Sequence, residues 1–192
     1  MRAFALALTM AVALIAAPAA FAQAPGVPQP NSTTGGAAYE DPAVATTQVV
    51  PGLQATLLPN GMAAAPDAAP QQVKDAIAAA NEIVGMPYVY GGGHNARFAG
   101  KGYDCSGTVS YALHGGGLLD MPLDSGAFMK WGDTGPGAWI TVYTNRGHAF
   151  VVIAGLRLDT SAAGDPTGAK GPRWRPALRT TKGFRARHPI GF

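Results

Sequence analysis

A single cysteine, Cys105, stands in the 192-residue sequence. No internal disulfide can form, so the thiol is buried and inert, bonded to another chain, or used chemically. Charged residues are scarce, at 13%, and aromatic residues make up 8%. With 26 Gly and 16 Pro, this composition excludes a helical bundle and favours a loop-rich mixed fold with at least one unstructured stretch. No internal repeat is evident. The length suits one domain of ordinary size with flexible ends and is too short for two well-packed cores.

No apolar run reaches the ~20 residues of a membrane span. The longest, Ala3 to Ala17, follows Met1-Arg2, is broken at Pro18, and leads to the small-x-small sequence Ala20-Phe21-Ala22. That pattern is expected to be a signal peptide cut after Ala22, placing the protein outside the cytoplasm, secreted or periplasmic. No cysteine follows the cleavage point, so neither a lipid anchor nor a stable membrane anchor is expected. Acidic residues are missing after Asp165, whereas Lys170, Arg173, Arg175, Arg179, Lys182, Arg185 and Arg187 all follow it. This basic C-terminal segment suits an anionic partner such as a cell-wall polymer, or is simply a solvated face. Export and the lack of a recognised binding motif argue against nucleic acid.

Residues 23–69 are rich in Pro, Gly, Ala, Ser and Thr and are expected to be a disordered linker. Within them, the pieces 47–50 and 53–58 could at most pair locally as strands. The folded domain is expected over 70–192. Pro70 opens a helical pattern carried by Val73, Ile77, Ala80 and Val84 and closed by Gly85. A second helix begins at Cys105, with Val109, Ala112 and Leu113 on one side, and stops at Gly115-Gly116-Gly117. A short helix from Asp124 to Trp131 follows. Strands are expected over 138–143, 148–154 and 156–160. Helices followed by antiparallel strands make the fold class α+β, with the helices packed on a small sheet.

A thiol at a helix N-terminus with an imidazolium nearby is readily ionised. The N–H groups of that first turn can also hold the oxyanion formed when a carbonyl is attacked. Of the four histidines, His94 lies in a glycine-rich loop, His114 at a helix end and His188 in the basic segment, each with an adequate structural or solvent explanation. His148 heads the apolar strand Ala149-Phe150-Val151-Val152-Ile153 and is the favoured base. A two-residue turn at Ala154-Gly155 would set Ile153 opposite Leu156 and bring Asp159 diagonally beside His148, where it can fix the imidazole tautomer. Ser161 is the alternative orienting group. A one-residue slip would place Asp159 on the wrong face.

Tyr88-Val89-Tyr90-Gly91-Gly92, then Tyr103-Asp104-Cys105-Ser106-Gly107, then Gly147-His148 leading into an apolar strand, resemble in order and spacing the NlpC-type cell-wall endopeptidases, a branch of the papain-like superfamily. The likeness runs from about Pro70 to Ser161. It implies a papain-like α+β fold, a Cys105–His148 pair with Asp159 as third member, Tyr88 near the oxyanion, and Asp104 and Ser106 as substrate-binding residues. It implies no cofactor and no metal. The substrate it implies is peptidoglycan, cut between D-glutamate and diaminopimelate in the stem peptide. Two features depart from the family: aspartate as third residue, where His, Asn or Gln is usual, and Gly137-Ala138-Trp139-Ile140 in place of a Gly-Asp-Leu strand. A separate wall-binding repeat is also missing. Two other functions are compatible with these residues: a non-catalytic wall-binding protein on a decayed peptidase scaffold, and a thiol amidase or acyltransferase with another substrate.

Overall fold

The computed structural model describes residues 48–176 and 178–192; the expected signal peptide and residues 23–47 lie outside the described residues. The chain runs through β1 (Val49–Val50), β2 (Thr56–Leu57), β3 (Ala63–Pro66), α1 (Gln71–Ile83), α2 (Cys105–Gly115) and α3 (Ser125–Phe128). It continues through β4 (Asp133–Thr134), β5 (Ile140–Thr144), β6 (Ala149–Ile153), β7 (Leu156–Asp159), β8 (Arg173–Arg175) and β9 (Arg185–His188). Among the described residues the fold is mixed α+β: three helices, a small sheet of order β1-β3-β2, and a six-stranded sheet of order β4-β9-β5-β6-β7-β8 whose pairs are all antiparallel.

The small sheet corrects the expectation of a disordered linker for residues 48–69, which are folded here. Ala63, Ala64 and Ala65 of β3 are fully buried, and β3 lies against α1. Asn81 of α1 holds the strand by both its amide groups: Ala63 N–H donates to Oδ1 and Nδ2 donates to the Ala63 carbonyl, each at 2.9 Å. Composition concealed this strand because alanines that approach a helix closely bury well without bulk. The Ala55 N–H then donates to the Ala154 carbonyl at 2.8 Å, joining this segment to the β6–β7 turn.

The α1 pattern buries Val73, Ala76, Ile77, Ala80 and Ile83, with Pro70 as the residue before the helix rather than its first. Gly115 and Gly116, expected only to end α2, also let it meet α1. A Cβ on Gly115 would lie 2.2 Å from the Ala79 Cβ. The α3 helix is shorter than expected and is capped by Asp124, whose carboxylate accepts from Ala127 N–H at 2.8 Å.

The β6–β7 hairpin has the expected register. Ile153 pairs with Leu156 and Val151 with Leu158, and the turn residues Ala154 and Gly155 both have positive φ, 47° and 82°, the combination of a type I′ turn. Ala149, Val151 and Ile153 point into the main core with Val109, Ala112 and Leu113 of α2. Phe150 is buried in a separate aromatic group with Tyr143 and Phe184.

The basic C-terminal segment is not a tail. It contributes β8 and β9 to the large sheet. Arg175 is buried, with Nη1 2.5 Å from Asp165 Oδ2. Arg187 donates to the carbonyls of Trp131 and Gly132 at 2.6 and 2.8 Å. Lys170, Lys182 and Arg185 remain exposed. The clustering of positive charge therefore reflects structural tasks for several of these residues as well as a solvated face.

Candidate active site

Asp104 ends an extended stretch and caps α2, its Oδ1 accepting from Gly107 N–H at 2.7 Å. The Thr108 N–H is taken by the Asp104 carbonyl. The N–H groups of Cys105 and Ser106, at the very start of the helix, have no helical carbonyl to bond and lie beside the thiol. Gly107 must be glycine for a different reason. A Cβ there would stand 2.0 Å from the Gly92 carbonyl oxygen, because the glycine loop folds directly onto the first turn of α2. Gly107→Ala is expected to destabilise the protein by ~1–3 kcal/mol, as overpacking against rigid backbone does, and thermal unfolding followed by circular dichroism measures it.

The Cys105 thiol lies beside the His148 ring and the Ala149 N–H, both of which favour its ionised form. Burial opposes ionisation and is the largest influence on the thiol. The neighbouring His148 ring, the Ala149 N–H and the charge of His148 outweigh it, against a further opposing influence from Asp104, so the thiol pKa is below its ordinary value. His148 Nε2 lies 2.9 Å from Asp159 Oδ1, which leaves Nδ1 for the thiol. Burial of the ring disfavours its charge, but the bonds to Asp159 and Cys105 prevail and raise its pKa to about 9. Asp159 is fully buried and also accepts from Ser161 N–H at 2.8 Å and from Arg179 Nη1 at 3.2 Å. Desolvation is the largest influence on its carboxyl too, yet these donors hold the pKa below the usual range. Each shift favours the charged form of its group: thiolate for Cys105, imidazolium for His148 and carboxylate for Asp159.

Beside Cys105 opens a cleft of about 540 Å³. It is lined by Tyr88, Tyr90 and His94 of the glycine-rich segment, by Asp104 and Ser106 at the start of α2, and by Asp124, Ser125 and Arg146 from α3 and the β5–β6 turn. Tyr88 is 44% exposed. Partial burial, then the negative charges of Cys105 and Asp104, raise the pKa of its phenol, which stays a proton donor.

Cys105, His148 and Asp159 are brought together, and Tyr88, Asp104 and Ser106 all line the same cleft. Ser161 does not orient His148 through its hydroxyl; its backbone N–H bonds Asp159, and its Oγ accepts from Ala163 N–H. The Asp104 carboxylate already receives Gly107 N–H, Gly91 N–H, His94 and Ser106, so it chiefly ties the glycine loop to α2. His94, set aside in the sequence reading as a glycine-loop residue, lines the cleft. Its Nε2 is 2.9 Å from Asp104 Oδ1 and 3.3 Å from Ser106 Oγ; only the folding of the glycine loop onto α2 brings it there. Arg179 escaped the sequence reading, submerged in the run of basic residues. His114 stacks on Phe98 and bonds the Leu119 carbonyl, and His188 bonds the Gly135 carbonyl, both structural as expected.

Among the described residues, no cluster of His, Cys, Asp and Glu is arranged for a metal ion. No described helix is long and apolar enough to cross a membrane. Neither family models nor curated proteins give a match. Among solved structures, an NlpC/P60 family protein from Bacillus cereus ATCC 10987 is similar, with 18% identity, a TM-score of 0.46, and coverage of 62% of this chain. The chain spans only 40% of that protein's length, and a likeness of that degree fixes neither the fold's detailed arrangement nor the activity.

Proposed function

We propose that the protein is an exported cysteine peptidase of papain-like arrangement that hydrolyses peptide bonds in peptidoglycan stem peptides. The observation that carries this reading is the chain of facing groups Cys105, His148 and Asp159, in which His148 bonds Asp159 at 2.9 Å and stands beside a thiol of lowered pKa that opens on a cleft. A scaffold that had lost catalysis would have no reason to keep such a chain intact, and this favours the enzyme over the wall-binding alternative. The choice of stem peptide, with the D-glutamyl-diaminopimelate bond as its expected target, comes from the motif resemblance around Tyr88, Cys105 and His148.

The Cys105 thiolate attacks the scissile carbonyl, and the tetrahedral oxyanion is held by N–H groups at the start of α2 with the Tyr88 hydroxyl as a further donor. His148 Nδ1–H gives its proton to the leaving amine, producing an acyl-thioester on Cys105 and a neutral imidazole. Water then attacks the thioester while His148 takes its proton, and the acid product leaves as the thiolate–imidazolium pair re-forms. Asp159 holds the ring in the tautomer that makes both transfers possible.

Residues 1–22 would deliver the protein to the envelope, and the exposed Lys170, Lys182 and Arg185 would favour approach to anionic polymer. The test is digestion of purified sacculi and of isolated stem peptides, with mass spectrometry of the released fragments. Fragments ending at D-glutamate are expected. Intact sacculi and peptides, under conditions where a control hydrolase cuts both, would overturn the assignment. Transfer of the acyl group to an added amine instead of to water would favour the acyltransferase.

A further inference from the structure

The groups that face His148 and its partner carboxylate come from several elements. Cys105 and Asp104 approach from the start of α2, with Tyr88 across the cleft. Asp159 and Arg157 belong to β7 and Arg175 to β8, Asp165 lies in the loop between those strands, and Arg179 follows β8. Three guanidinium groups therefore gather around one buried aspartate, and they do not have the same relation to it. Arg157 is fully buried, yet its Nε stays 3.9 Å from Asp159 Oδ2 and has no hydrogen-bond partner among the described residues. Arg175 bonds the backbone carbonyl of Asp159, at 3.0 Å, and spends its other end on Asp165. Arg179 alone of the three donates to the carboxylate itself.

Arg179 is also held in place by something other than charge. Its guanidinium carbon lies 5.3 Å from the ring centroids of both Phe150 and Phe184, and Phe184 meets the His148 ring edge-on with centroids 6.2 Å apart. Two cation–π contacts fix a planar group that would otherwise pay rotamer entropy to stay in position. Its Nη1 then occupies Asp159 Oδ2 while His148 and Ser161 N–H share Oδ1. Donors on both oxygens define the carboxylate plane, which a bond from the imidazole alone would leave free to turn.

We infer that Arg179 is a positioning residue, which sets the plane of the Asp159 carboxylate and, by sharing its negative charge, limits the basicity of His148. The inference rests on the reading of Cys105 and His148 as the reacting pair. The benefit is chemical. An imidazolium paired with an unshared buried carboxylate is a reluctant acid, and His148 must give its proton to a leaving amine. A second cation on the far oxygen weakens that hold without breaking the hydrogen bond. Its removal raises the pKa of His148, because the imidazolium loses a like charge and keeps its partner.

The pH dependence of Cys105 alkylation by iodoacetamide reads the thiolate–imidazolium pair without any substrate, so it separates this inference from the choice of substrate. In the wild-type protein two inflections are expected, one as the thiolate forms and one in the alkaline range as His148 loses its proton. In Arg179→Gln the upper inflection is expected to move up by ~1 pH unit, and Arg179→Lys, which restores the cation, is expected to bring it most of the way back. On peptidoglycan, Arg179→Gln should lower kcat with KM little changed. An Arg179→Gln protein with wild-type circular dichroism and an alkylation profile that superimposes on wild type, or moves down, overturns the inference and leaves the peptidase reading standing. A single wild-type step at the ordinary thiol value removes the ion pair and both readings with it. If Arg179→Gln does not fold, Phe184→Leu takes its place: it loosens one face of the guanidinium, and a smaller upward shift is expected, with no shift counting against the role.

Discussion

Cys105→Ala is expected to abolish turnover, by about 10⁴–10⁶-fold, because the acyl intermediate forms on this thiol and the members of such a unit fail together. The fold should survive. Alanine fits within the space of the thiol, and α2 keeps its Asp104 cap and its contacts through Val109, Ala112 and Leu113. The substitution has a second, independent consequence. The neighbouring Cys105 helps raise the His148 pKa to about 9, so the ring in Cys105→Ala should titrate at lower pH than in wild type, though still above 6.5 while Asp159 remains. Fragment release from sacculi measures the first effect and the ring-proton NMR titration of His148 the second. Turnover that persists in the alanine variant would remove the thiol from the mechanism.

Asp159→Ala is expected to have the largest effect on stability, about 3–5 kcal/mol, the size seen when one member of a buried charged group is removed and the others are left uncompensated. Here the stranded groups are Arg157, Arg179 and His148. Chemical denaturation read by tryptophan fluorescence checks it. Asp159→Asn keeps the shape and an acceptor oxygen but not the charge, and should fold better while still losing about 10²–10⁴ in kcat, because the imidazolium is no longer stabilised.

The same pair makes stability depend on pH in a definite direction. Asp159 has a folded pKa below its ordinary 3.8, so its contribution is present above that value and is lost as pH falls through the folded pKa. His148 has a folded pKa raised from 6.5 to about 9. Its contribution is complete below 6.5 and is lost as pH rises through about 9. The two describe one interaction seen from its two ends. Through this pair the midpoint of thermal unfolding gains most between about pH 4 and 6.5 and less toward pH 9, an alkaline decline that the lowered thiol pKa of Cys105 offsets and that Cys105→Ala should expose. In Asp159→Asn the alkaline decline should shrink, which differential scanning calorimetry across pH would detect.

Much of this was legible in the chain because it depends on local rules. The spacing of Val73, Ile77 and Ala80 reflects the pitch of α1, and Asp104 before Cys105 is a helix cap whatever surrounds it. Ala154-Gly155 is a turn whose two residues dictate register, and register alone carries Asp159 to His148, since one face of that hairpin must be buried. The α+β class follows from the same patterns. What local rules could not reach were contacts made between segments far apart in sequence. An alanine strand at 63–65 gains its stability only from close approach to α1, and no apolar period announces that. His94 becomes part of the cleft only because the glycine loop packs on Gly107. Arg179 looks like one basic residue among seven until Phe150, Phe184 and Asp159 surround it.

Cys105 itself divides along the same line. Its place at the start of a helix, and the presence of a histidine and an acid on a following hairpin, belong to the sequence, because helix caps and hairpin register are set by neighbours in the chain. The ionisation that would make it a nucleophile belongs to the tertiary structure, because burial, the His148 ring and the Ala149 N–H act across space in opposite directions, and only their assembled geometry decides which prevails.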